Sequence, residues 1–141
     1  ADRSLEEIGE HAGLAFQIQD DYLGIWGDTA STGKSNLTDL MTRKKTYPIL
    51  LGLVESLAFK AAWETNPQIT PDLARQLAGM LSEAGIDEKT NEAVLKHLRV
   101  IKEGKERLAN SSNNNSTAMW DLLNLAFKPT FASTLNSNAP T

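Results

Sequence analysis

Residues 4–27, SLEEIGEHAGLAFQIQDDYLGIWG, place Leu5, Ile8, Ala12, Ala15, Phe16, Gln19, Leu23 and Trp26 at steps of three and four. That spacing lays one stripe along a helix, whereas a strand would alternate its faces every second residue. The predicted helix stops near Gly27. The same period recurs downstream. A second helix is expected over Thr46–Thr65, with Pro48 in its first turn, where proline is tolerated, and with Leu50, Leu51, Val54, Leu57, Ala58, Ala61 and Ala62 along it. Thr70-Pro71 reads as an N-cap followed by proline at the first helical position. Leu73, Leu77, Met80 and Leu81 continue that third helix, and Gly85 is placed to end it. Asp87 is expected to cap a fourth helix with Val94, Leu98, Ile101 and Leu108 inward. Trp120, Leu123 and Phe127 define a short last helix, stopped by Pro129. Residues 27–45 (GDTASTGKSNLTDLMTRKK) read as a structured loop with one short turn, and Asn110–Thr117 (NSSNNNST) as a loop. No stretch alternates. The reading is all-α, about five helices, with one helical domain over 1–128 and a flexible tail over 129–141.

The 141 residues amount to one small domain. Eighteen acidic residues against 14 basic ones give a net charge of −4, which argues against a nucleic-acid binder. The absence of cysteine excludes a disulfide scaffold, a zinc finger and a thiol nucleophile. His11 and His97 are too few and too far apart for a histidine metal site. No apolar run approaches the roughly 18 residues of a membrane span, and no leader pattern is seen, so the cytoplasm is the default compartment. Ala1-Asp2-Arg3 lacks an initiator methionine and reads as an internal cut.

The chemistry concentrates around Phe16-Gln17-Ile18-Gln19-Asp20-Asp21-Tyr22. Two carboxylates fall in the last turns of a helix, whose C-terminus already carries about half a negative charge. No basic residue follows at i+3 or i+4. Arg43, Lys44 and Lys45 form the mirror-image anomaly, cations crowding the N-terminal approach to the next helix. Each set would be relieved by an outside ion of opposite sign: a hard cation at the aspartates and an anion at the lysines. Oxygen-only ligands select Mg²⁺ or Ca²⁺, and Mg²⁺ typically takes one or two carboxylates plus substrate phosphate oxygens. Gly27–Ser35 imitates a phosphate-binding P-loop, but five residues separate the glycines where four are needed, and a helix precedes it rather than a strand.

The run GLAFQIQDDYLGIWGD followed by TGKSNLTDLMTRKKTYPIL resembles the second aspartate-rich region of the trans-isoprenyl diphosphate synthases. The matching elements are Phe16-Gln17, Asp20-Asp21, Gly27-Asp28, Gly33-Lys34, Asp39-Leu40, and Lys44 four residues before Pro48. The resemblance implies the C-terminal part of the isoprenoid synthase helical bundle, usually a homodimer. It also implies Mg²⁺-assisted loss of diphosphate from an allylic substrate and attack by isopentenyl diphosphate. It makes Asp20 and Asp21 the metal-binding pair, Asp21 acting through waters or a basic partner. Lys34 and Lys44 would bind the allylic diphosphate, Asp20, Asp21 and Lys34 would serve catalysis, and Phe16 and Gln17 would line the substrate cavity. Two departures stand out. The third aspartate of the motif is Gly24 here, and the family's first aspartate-rich motif is absent. The expectation is therefore a portion of a longer prenyltransferase, inactive alone. A non-catalytic helical subunit with a vestigial motif, or a terpene-cyclase-like enzyme on the same fold, remain open.

Overall fold

A computed structural model describes residues 3–27, 37–109 and 117–136. Among these residues there are eight helices and no strand: α1 (Ser4–Trp26), α2 (Thr38–Met41), α3 (Tyr47–Glu55), α4 (Leu57–Thr65), α5 (Pro71–Glu83), α6 (Ile86–Ala109), α7 (Thr117–Ala126) and α8 (Pro129–Asn136). The all-α reading holds, and the helix count rises for identifiable reasons. The helix expected over 46–65 is two, because Ser56 is extended (φ −123°, ψ 108°) and its side chain accepts from the Phe59 amide at 3.2 Å. A serine oxygen offers the backbone an alternative to helix continuation. The expected stop at Pro129 is a start: proline takes the first position of α8, where its missing N–H costs nothing. Phe131, Ala132 and Leu135 are buried on that helix, so the tail expected from 129 is helical as far as Asn136.

Other boundaries follow the sequence. Thr70 accepts from the Leu73 amide at 3.2 Å with Pro71 beside it. Gly85 takes φ +76° just past α5, the left-handed conformation that glycine adopts without penalty. The cap expected at Asp87 is not used. α6 begins one residue earlier, its first turn closed by the Gly85 carbonyl accepting from Lys89. Asp87 falls within that turn, where negative charge still suits the dipole.

The chain divides into two compact units, Ile18–Asn91 and the residues up to Gln17 together with those from Glu92 onward. Within Ile18–Asn91, Ile25, Leu40, Ile49, Phe59, Trp63, Leu77, Leu81 and Ile86 form one apolar core. Each such side chain contributes about 1.5–3 kcal/mol of transfer free energy. Gly52 permits the close packing there: a Cβ at this position would lie 2.3 Å from Leu81 Cδ2 and 3.0 Å from Phe59 Cδ2. In the other unit, Ile8, Ala15, Val94, Leu98, Ile101, Phe127, Phe131 and Leu135 are buried. Polar contacts join its first and long helices. Arg107 Nε donates to Ser4 Oγ at 3.1 Å, and Arg107 Nη2 pairs with Glu7 at 3.0 Å.

Candidate metal and diphosphate site

The site is best built from the end of α1. The aspartates are adjacent, so on a helix of 3.6 residues per turn their side chains leave about 100° apart. Their surroundings differ accordingly. Asp20 is exposed, whereas Asp21 is only 6% exposed. The Tyr47 amide, at the first position of α3, donates to Asp21 Oδ2 at 3.0 Å. This resolves the anomaly of negative charge at a helix C-terminus, because Asp21 lies at the positive N-terminal end of a second helix. The residue before α3, Thr46, has the extended backbone of an N-cap, but its side chain makes no capping bond. Its Oγ1 is buried and unpartnered among the described residues. The capping work is done by Asp21.

The segment from Leu37 to Thr46 is tied down along its length. Leu37 N–H donates to the Gly24 carbonyl at 3.1 Å, and Lys44 N–H to the Asp39 carbonyl at 2.9 Å. Leu37 (φ 75°) and Arg43 (φ 56°) both take left-handed backbone, at a cost of order 1–3 kcal/mol each for non-glycine residues. Arg43 is held there by its own side chain. Its guanidinium donates to the carbonyls of Trp63 and Asn66 at 3.1 and 3.0 Å and lies 4.2 Å from the Trp63 ring centre. The basic triplet is thus divided: Arg43 is an anchor, while Lys44 and Lys45 are exposed.

Position 24, where the motif's third aspartate is missing, is filled by another carboxylate. A Cβ on Gly24 would lie 1.9 Å from Asp39 Oδ2, so Asp39 reaches across the bare glycine at the end of α1. Among the described residues no group of three or more His, Cys, Asp or Glu is arranged to hold a metal ion. The donors at hand are carboxylate oxygens, the chemistry a hard cation takes, and Mg²⁺ is commonly held by one or two carboxylates with phosphate supplying the rest.

Lys34 lies outside the described residues. Phe16 and Gln17 are exposed, and the Phe16 ring meets Phe127 edge-on with centroids 6.3 Å apart. The expectation that the two histidines are far apart is corrected. The packing of α1 with α6 within one unit brings His11 Nδ1 and His97 Nδ1 to 2.8 Å. Burial first, then the charges of His11 and Lys96, hold His97 below the ordinary histidine value. The capping role of Asp21, the seat of Arg43 and the approach of Asp39 to Gly24 were not anticipated. The bare glycine was visible as a gap in the motif, but what filled it was not.

The polyprenyl synthetase family model matches residues 1–79, and the chain belongs to that family. It is 40% identical over 94 residues to a farnesyl diphosphate synthase of Escherichia coli, covering 67% of this chain and 29% of that protein. It is 53% identical over 95 residues to a (2E,6E)-farnesyl diphosphate synthase of Mycobacterium tuberculosis, covering 60% and 26%. A polyprenyl synthetase structure from Streptomyces coelicolor superposes with a TM-score of 0.69 at 27% identity, over 96% of this chain and 40% of that one. The chain therefore spans under a third of the length of these two curated relatives. Among the described residues no helix is long and apolar enough to cross a membrane.

Proposed function

We propose that this chain carries the metal–diphosphate half of a prenyltransferase site, in which an allylic diphosphate is elongated with isopentenyl diphosphate. One observation carries the reading: the exposed Asp20 stands beside an aspartate bonded to the segment that bears Lys44 and Lys45. A carboxylate for a cation and lysines for an anion are thereby built into one piece of structure. Mg²⁺, when bound, supplies positive charge to the departing diphosphate. Asp20 offers an oxygen to that ion, and Lys44, with Lys34, neutralises the phosphate oxygens as negative charge develops on them. The allylic C–O bond breaks with its electron pair leaving on diphosphate. The isopentenyl double bond then forms the new C–C bond, and a proton is lost to restore the alkene. Phe16 and Gln17 are assigned to the hydrocarbon side of the substrate, and the working protein to a homo-oligomer.

The test is Asp20→Asn in the intact protein, assayed with allylic and isopentenyl diphosphates and Mg²⁺. Turnover should fall by a factor on the order of 10² or more, the scale on which lost charge stabilisation acts. Lys44→Ala should raise the KM for the allylic substrate. An Asp20→Asn protein that turns over at the normal rate would overturn the assignment.

A further inference from the structure

We infer that Asp21 is a positioning residue: its carboxylate holds the N-terminus of α3, and with it the Lys44–Lys45 segment, in register with Asp20, which alone of the pair is offered to a cation. The inference rests on the reading of the site given above and divides the work of its two aspartates.

Three features carry it. Asp20 and Asp21 differ in exposure and leave the helix in directions about 100° apart. Asp21 Oδ2 is engaged by an amide at the positive end of a helix, a charge-assisted bond that fixes how the carboxylate is turned. The residue in the cap position does not take over that duty. Thr46, in the cap position, leaves its hydroxyl buried and unpartnered among the described residues instead of capping α3. The lysines lie between two fixed points. Arg43 is clamped on Trp63 on one side, and Tyr47 is bonded to Asp21 on the other. Within that span Thr46 N–H donates to the Lys44 carbonyl at 3.0 Å. Release of the Tyr47 end would let the exposed ammonium groups wander while leaving Asp20 where it is.

The experiment compares the intact protein with Asp20→Asn, Asp21→Asn and Asp21→Ala. Mn²⁺ binding is followed by electron paramagnetic resonance, and binding of inorganic diphosphate by calorimetry. Asp20→Asn should weaken Mn²⁺ binding about tenfold or more, the loss of one hard-cation ligand. Asp21→Asn keeps an acceptor for the Tyr47 amide, and both affinities should stay within about threefold of the parent. Asp21→Ala should weaken diphosphate about tenfold while Mn²⁺ affinity is kept, and its rescue by asparagine separates positioning from charge. Should Asp21→Ala fail to fold, Asp21→Asn decides alone. A loss of Mn²⁺ binding in Asp21→Asn equal to that in Asp20→Asn would make Asp21 a direct ligand and overturn the inference. Unchanged Mn²⁺ binding in Asp20→Asn would instead overturn the site assignment on which it stands.

Discussion

Between Ile18 and Asn91 the helices are joined by large apolar side chains with no exposed surface, Phe59, Leu77 and Leu81 among them. The unit made of residues up to Gln17 and from Glu92 onward adds a polar seam to its apolar core. His11 bonds His97, and Arg107 reaches Ser4 and Glu7. Leu122 and Leu125 on α7 are largely exposed. The motif residues Asp20, Asp21 and Lys44 belong to the first of these units. Left-handed backbone at Leu37 and Arg43 is costly, and the Arg43 guanidinium ties that backbone to the core of the same unit through the Trp63 and Asn66 carbonyls and the Trp63 ring. The strained, charged segment is thus carried by the unit whose core gathers Ile25, Leu40, Ile49, Phe59, Trp63, Leu77 and Leu81.

Truncating that support should have the largest effect. Phe59→Ala should destabilise the protein by about 3–5 kcal/mol, whereas Leu125→Ala should change little, since that side chain is already 83% exposed. Urea unfolding of both variants would show it, and equal losses would mean that Phe59 does not hold the core of its unit together. Next comes Arg43→Ala, which removes two bonds to carbonyls and the stacking on Trp63. A loss of about 1–3 kcal/mol is expected, together with faster amide exchange over residues 37–46. Exchange unchanged there would mean that Arg43 does not anchor the lysine segment. The smallest effect lies in the polar seam. His97 titrates below its ordinary value because burial, and then His11 and Lys96, oppose its charge. Protonation therefore favours the unfolded chain. The stability it contributes is complete above about pH 6.5 and fades as the pH falls through the lowered folded value. His97→Gln should flatten that part of the urea-midpoint profile. A profile identical to the parent's would remove His97 from the seam's pH response.

Local chemistry was legible in the sequence. Thr70-Pro71 and Gly85 announce the ends of α5 because caps act within a turn of the backbone they satisfy. The aspartate pair and the lysines stood out because each opposes the helix end nearest to it in sequence. What escaped the reading acts over distance. Asp21 caps a helix that starts 26 residues later, and Arg43 is seated by carbonyls 20 and 23 residues away. His11 and His97 meet across 86 residues. Periodicity carries no information on such pairings. Ser56 and Pro129 were local but ambiguous, since serine can lie inside or at the start of a helix and proline can end one or begin one. The resemblance to the prenyl synthases pointed to the candidate site, but it left Gly24 as a missing carboxylate and could not show Asp39 reaching over it.

That last arrangement makes residues 24 and 39 joint tenants of one small volume. Neither can be altered as though the other were absent. An aspartate restored at position 24 would not simply complete the motif, because its Cβ would fall on the Asp39 carboxylate and two like charges would contest the same space. A side chain at position 24 therefore requires the Asp39 carboxylate, the far end of its own side chain, to turn aside.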